Sequence, residues 1–374
     1  MKSLLKGMDV KLDDLLKSTE AGKGTIKDNM DDLCDILEDE IIKSKSTEDE
    51  KKAMLKRLRA FCNTETNIML VGATGCGKSS TINALFAVGE DKVPEDDELV
   101  DGPVSRKKFV EVAKVGSKAD PETKDIEKYR IGNLVLWDTP GLGDGTDIDE
   151  HHKSVITELL REEDTEGHAL IDLVLVILDG STKDLGTSYK ILNDVIIPEL
   201  GKDTDRILIA LNQADIAMKT GRHWDYDKNE PDATLISFLE EKVVSIKARI
   251  KEDSALDISP VYYCAGYKEE DGDVVQPYNL SKLLYYIMQS LPAQKRISIM
   301  EGINTDSDHY KHNDDDEYNE KIKDSFYDSF DYISDGVDSG AELGETILGI
   351  PGAIVGAILG GFVGCVRSIM DEIF

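Results

Sequence analysis

Between residues 63 and 293 the chain carries five short apolar runs: 67–71 (NIMLV), 133–138 (NLVLWD), 173–178 (LVLVIL), 207–212 (ILIALN) and 261–264 (VYYC), separated by stretches of helical character. Each run is apolar on both faces, which suits a parallel strand buried between two helix layers. Strand–helix units repeated with right-handed crossovers build a doubly wound, mostly parallel α/β sheet. Ligands in such sheets lie beyond the carboxyl ends of the strands, so chemistry is to be sought just after each run.

The first run ends at Val71 and leads into Gly72-Ala73-Thr74-Gly75-Cys76-Gly77-Lys78-Ser79-Ser80, after which a helical stretch begins. This is the pattern GxxxxGK(S/T) in its strand–loop–helix context. The glycines let backbone N–H groups turn inward around a β-phosphate, Lys78 reaches the β- and γ-phosphates, and the Ser79 hydroxyl is placed to ligate Mg²⁺. The positive end of the following helix points at the same anion.

Two further motifs follow later runs. Trp137-Asp138-Thr139-Pro140-Gly141 places a carboxylate at a strand end, suited to hold Mg²⁺ through water, and a glycine whose N–H can meet a γ-phosphate. Asn212-Gln213-Ala214-Asp215 offers a carboxylate that accepts from both N1 and N2 of guanine, a pattern adenine lacks. Gln213 stands where a lysine is usual, so stacking of an apolar stem on the base remains and the charge is lost. Cys264-Ala265-Gly266 ends the last run, and the Ala265 N–H can donate to guanine O6. Ser105, in Asp101-Gly-Pro-Val-Ser105, is the expected second hydroxyl ligand of the metal. The expected cofactors are therefore GTP or GDP and Mg²⁺.

These motifs occur in order over about three-fifths of the chain and resemble the Era-like (TrmE/Era-type) branch of bacterial small GTPases, in which GKSS-INAL, PV(T/S), DTPG and NQAD recur. The interferon-inducible GTPases look similar around the phosphate loop. The resemblance implies a P-loop GTPase fold, cycling between GTP and GDP, and, by family likeness alone, contact with a ribosome. One departure concerns catalysis. Leu142 follows DTPG where Ras-like proteins carry the water-positioning glutamine, and leucine cannot orient a nucleophile. Potassium-activated relatives carry asparagine at the fourth position of the phosphate loop, here Gly75. No catalytic residue is assigned; Asp144, Asp147 and His151 are the polar candidates in the switch region. Slow intrinsic hydrolysis is expected.

Around this expected GTPase domain (63–293) the composition marks three other segments. Residues 1–62 show helical spacing at Leu4, Met8, Leu12, Leu15 and at Ile26, Met30, Leu33, Leu37, Ile41, with Thr47 and Glu50 placed as a capping box. Residues 294–335 form a polar, acidic stretch, expected to be a solvated helix or linker. Residues 336–374 are rich in glycine: Gly336, Gly340, Gly344, Gly352, Gly356, Gly360 and Gly364 fall at multiples of four, interrupted only by Leu348, and 347–366 contain no charged side chain. Twenty such residues just span a bilayer core as a helix, and glycines on one face let another backbone approach closely. Membrane attachment and self-association through 336–366 are both expected roles, with the protein partner unnamed.

Charge and cysteine content restrict the remaining classes. Lys and Arg number 44 against 75 Asp and Glu among 374 residues, a net charge of −31. That is unsuited to general nucleic-acid binding, which needs cationic contacts to phosphate. The five cysteines are scattered without a CxxC pair, which argues against a disulfide framework or zinc site and for a reducing compartment. The N-terminal residues lack an apolar stretch long enough for a signal peptide, so the expected location is cytoplasmic, with the tail as a possible membrane anchor.

Overall fold

A computed structural model describes residues 63–87, 126–141 and 146–326, apart from 165–166, 183–184, 202, 219–222, 269–273 and 316, together with scattered positions between 35 and 59 and residues 370, 373 and 374. Ser105, Leu142, Asp144, the Asp147 side chain, the glycine series 336–364 and most of the expected N-terminal helices lie outside the described residues. The chain divides into two units. One comprises Met1–Glu65, Pro292–Glu301 and Lys323–Phe374; the other comprises Thr66–Leu291 and Gly302–Ile322.

In the first unit, the described positions between 35 and 59 are helical except Thr47. The Lys51 N–H donates to the Thr47 carbonyl at 2.9 Å, opening a helix where the sequence places its start. Ile297, Ile299 and Met300 are buried in the helix Ala293–Gly302.

The second unit is built on a six-stranded sheet: β1 (Thr66–Gly72), β2 (Glu127–Ile131), β3 (Leu134–Asp138), β4 (Leu173–Asp179), β5 (Ile207–Asn212) and β6 (Val261–Tyr262). Its spatial order is β2-β3-β1-β4-β5-β6. β1 runs parallel to both β3 and β4, with Ile68 opposite Leu136 on one side and Leu173 on the other. β4 pairs in parallel with β5, and β5 with β6. Every residue of β1 and β5 is buried, as expected of runs covered on both faces. The helices include α1 (Lys78–Leu85), α2 (Thr146–Arg161), α3 (Gly186–Ile191, continuing as a π-turn and a further helical turn to Leu200), α4 (Ala233–Ser254) and α5 (Leu280–Gln289). This is the mostly parallel, doubly wound α/β sheet that the apolar runs predict.

One strand was not legible as an apolar run. β2 reads EKYRI and pairs antiparallel with β3, with Lys128 and Arg130 exposed. It is an edge strand with one face in water, so it alternates rather than running apolar. On that exposed edge, Lys128 lies 4.3 Å from the Trp137 ring centroid.

The acidic stretch also differs from its solvated expectation, because residues 302–322 belong to the second unit. Ile303 bridges to Phe86, and Asn304 N–H donates to the Leu85 carbonyl at 2.8 Å. His309 Nδ1 donates to Ala84 O at 3.0 Å, and the buried Tyr310 hydroxyl donates to Leu85 O at 3.3 Å. These groups satisfy the carbonyls left open at the end of α1. Asp314 accepts from Lys282 Nζ at 2.6 Å and from the Tyr262 hydroxyl at 2.9 Å, so part of the negative charge is internally matched.

Candidate functional site

The strand order places β1 between β3 and β4, where the chain reverses its direction of travel across the sheet. A crevice opens at such a switch point beyond the strand ends. The loop from Gly72 to Gly77 occupies that place, and α1 follows immediately. Gly75 and Gly77 have φ of 76° and 91°. In that left-handed region a side chain is strained, and backbone N–H groups of alternating conformation turn toward a common centre. Gly77 caps α1 without any side-chain hydrogen bond, and α1 has no acidic residue in its first turn. Its own first turn therefore adds no carboxylate to the positive dipole end, which suits anion binding.

Lys78 is buried, and its ammonium donates to the carbonyls of Gly72 at 3.3 Å and Ala73 at 3.4 Å. These bonds hold the charge over the loop. Ser79 Oγ donates to Asp138 Oδ2 at 2.7 Å. The other oxygen, Asp138 Oδ1, is buried without a hydrogen-bond partner among the described residues. Burial pushes the Asp138 carboxyl above its ordinary value, against the opposing effects of Ser79 and of the Lys78 charge. A buried carboxylate oxygen with nothing to accept from is costly unless a cation or a metal-bound water meets it. The pair Ser79–Asp138 thus fits a hard, oxygen-ligated divalent ion such as Mg²⁺.

Gly141 packs directly on the phosphate loop. A Cβ there would lie 2.2 Å from Thr74 Oγ1, 2.6 Å from Thr74 Cα and 2.8 Å from its nitrogen. Only glycine allows this approach. Thr139 Oγ1 donates to Leu70 O at 2.7 Å and ties the same loop back to β1. His152 on α2 is buried, and its Nδ1 stands 2.9 Å from the Gly141 carbonyl. Sequence reasoning considered its exposed neighbour His151 and missed His152. The only local signal was helical spacing, which does not say which of two adjacent histidines faces inward.

Asn212 joins the two halves of the site. Its Nδ2 donates to the Cys76 carbonyl at 3.0 Å, and its Oδ1 accepts from the Ala265 N–H at 3.0 Å. Gln213 adopts φ 63° and donates from Nε2 to Gly75 O at 2.9 Å. The glutamine in the usual lysine position therefore also reaches the phosphate loop. Asp215 is buried beside Cys264, whose thiol donates to its carboxylate; burial dominates and raises the Asp215 carboxyl above its ordinary value. Burial likewise pushes the Cys264 thiol far up, so it stays protonated and remains a donor. The Cys76 thiol, fully buried in the phosphate loop, is raised for the same reason.

Three strand ends therefore meet through specific bonds. The tip of β1 supplies residues 72–80, the tip of β3 supplies Asp138 and Gly141, and the tip of β5 supplies Asn212, Gln213 and Asp215, with Cys264 and Ala265 brought in after β6. Ser105 lies outside the described residues, so its place in this assembly is not defined.

Residues 67–213 match the family model of the 50S ribosome-binding GTPases. No curated protein matches the chain. Among solved structures, the chain is similar at 18% identity to an Aquifex aeolicus Era variant bound to GDP and aluminium fluoride, with a TM-score of 0.35 over 61% of this chain and 57% of that one. It is similar at 15% identity to Arabidopsis thaliana Toc33 in complex with Mg²⁺ and GMPPNP, with a TM-score of 0.37 over 69% and 94% of the two chains. A probable GTP-binding protein, engB, is similar at 16% identity, with a TM-score of 0.31 over 60% and 98%.

Proposed function

We propose that the protein is a guanine-nucleotide switch that binds GTP and GDP with Mg²⁺ and hydrolyses GTP to GDP and phosphate. The observation that carries this reading is the pair of hydrogen bonds of Asn212, whose Nδ2 donates to Cys76 O and whose Oδ1 accepts from the Ala265 N–H, tying the base-reading loops to the phosphate loop. In this reading, Lys78 leaves the Gly72 and Ala73 carbonyls to meet the β- and γ-phosphates. The α1 N-terminus and the Gly75–Gly77 backbone cradle the β-phosphate. Ser79 and Asp138 hold Mg²⁺, with Ser105 the proposed further ligand, and the metal offsets negative charge on the phosphate oxygens. Asp215 accepts from guanine N1 and N2; the Ala265 N–H, expected from the sequence to donate to O6, is instead taken by Asn212 Oδ1 at 3.0 Å and serves to tie the loops. Leu142 cannot orient water, so turnover without an activator is proposed to be slow, about 10⁻³ s⁻¹ or below.

Titration calorimetry with GDP, GTP and xanthosine triphosphate tests the reading. Tight GDP and GTP binding that requires Mg²⁺ supports it, as does loss of both in Lys78→Ala. Unchanged affinity in that variant overturns it. An Asp215→Asn variant that keeps its full preference for GTP over xanthosine triphosphate would remove the base-reading role.

A second reading rests on the four-residue glycine step from Gly336 to Gly364 and the uncharged run 347–366. It adds membrane attachment or self-assembly, controlled by the GTPase domain, to the same nucleotide chemistry. Among the described residues no helix is long and apolar enough to cross a membrane, and the run lies outside them. Fractionation of the full chain beside a chain ending at Thr346 decides the membrane part: recovery of both in the soluble fraction removes it. The proposed location is cytoplasmic, with ribosome contact resting on family likeness alone.

A further inference from the structure

The Gly141 peptide is held from two sides. On one side its Cα lies against Thr74 of the phosphate loop, with no room for a methyl group. On the other, its carbonyl meets His152 Nδ1 at 2.9 Å, from a helix position eleven residues further on. A carbonyl can only accept, so Nδ1 carries the proton, an assignment made from the bonding rather than from observed hydrogens. The imidazole is buried, so this bond is not exchanged with water. Between Gly141 and α2 the chain runs through the short segment 142–145.

We propose that His152 is a positioning residue that holds the Gly141 backbone in the orientation needed to discriminate a nucleoside triphosphate from a diphosphate. The inference deepens the switch reading and rests on it, because it gives the Gly141 N–H a γ-phosphate to meet. His152 bonds to the Gly141 carbonyl and acts through Gly141. Removal of the donor leaves the buried Gly141 carbonyl unpaired and releases the backbone rotation of Gly141, the residue whose N–H faces the proposed γ-phosphate. Binding that depends on the γ-phosphate should then suffer, while diphosphate binding, held by residues 75–79 and 212–215, should not.

The test compares the full-length protein with His152→Asn, whose amide can replace the Nδ1 donor, and His152→Phe, which keeps a ring and removes the donor. Affinities for GDP and for a non-hydrolysable GTP analogue are measured by calorimetry, with thermal melts as the folding control. His152→Phe should bind the analogue about five- to tenfold more weakly, the scale of one buried hydrogen bond, with GDP affinity within twofold. His152→Asn should restore most of the loss. Equal weakening of both nucleotides, no weakening of either, or a His152→Phe chain that no longer folds while His152→Asn still shows the selective loss would overturn the inference. Failure of the unsubstituted protein to bind any guanine nucleotide overturns the switch reading, and the inference with it. Binding without selective loss overturns the inference alone.

Discussion

Ser79 Oγ donates to Asp138 Oδ2 at 2.7 Å although 59 residues separate them in sequence. The bond joins the first turn of α1 to the tip of β3, and β1 and β3 are in register so that Leu70 lies beside Asp138. The partner oxygen, Oδ1, is buried without a donor among the described residues. A stable protein tolerates such a group when its use lies in a bound state.

That cost has a definite pH sign. The Asp138 and Asp215 carboxyls are both raised by burial above the ordinary 3.8. Between that value and the raised one, the folded protein holds more protons than the unfolded chain, so stability falls as pH rises through this window. The penalty is fully present above the raised folded-state value and is relieved as pH falls through it. Asp138→Asn and Asp215→Asn should therefore melt higher than the ligand-free parent at pH 7, and the gain should shrink on acidification toward pH 4. The same variants should lose Mg²⁺-dependent affinity and guanine preference, respectively. Thermal melts across pH, beside calorimetry, check both halves; a lower melting temperature for both variants at pH 7 would contradict the burial argument.

Asn212→Ala should be destabilising by about 1–3 kcal/mol, because the Cys76 carbonyl and Ala265 N–H would both be left without their partner. Urea unfolding measures this. The variant should also release GDP faster, since the phosphate and base loops would no longer be tied. A fluorescent GDP displacement assay reads that rate directly.

Gly77→Ala should abolish nucleotide binding. A Cβ at Gly77 would stand 2.2 Å from Asn212 Nδ2, and the backbone there sits at φ +91°. By contrast, a Cβ at Gly75 would meet nothing within 4 Å, though its φ of +76° still strains a side chain. Gly75→Ala should therefore retain more affinity than Gly77→Ala. Parallel calorimetry of the two variants separates steric clash from backbone strain.

Single-turnover hydrolysis by the purified protein should be slow and insensitive to replacing sodium with potassium, because Gly75 offers no side-chain ligand where an asparagine would. Turnover of several per second, or strong activation by potassium, would place a catalytic group that Leu142 and Gly75 do not supply.

Much of this architecture was readable without coordinates, for identifiable reasons. The strands β1, β3, β4 and β5 are buried on both faces, so their apolar runs stand out. The phosphate loop is a local feature: glycine spacing, lysine and hydroxyl all lie within eight residues of one strand end. What was not legible depended on distant partners. β2 is half exposed, so its pattern EKYRI resembles a surface loop. The acidic stretch looked solvated by composition, yet Asn304, His309 and Tyr310 close the end of α1.

The sequence by itself determined the class of sheet, the order of the motifs and the chemistry that each can perform, because these follow from side-chain type and local spacing. Only the tertiary structure decided that Asn212 spans from Cys76 to Ala265, that His152 rather than His151 meets Gly141, and that Asp138 keeps one oxygen in reserve. Those choices are made by parallel strand pairing and helix rotation, which bring residues from 11 to 136 positions apart into hydrogen-bond contact and which no local pattern encodes.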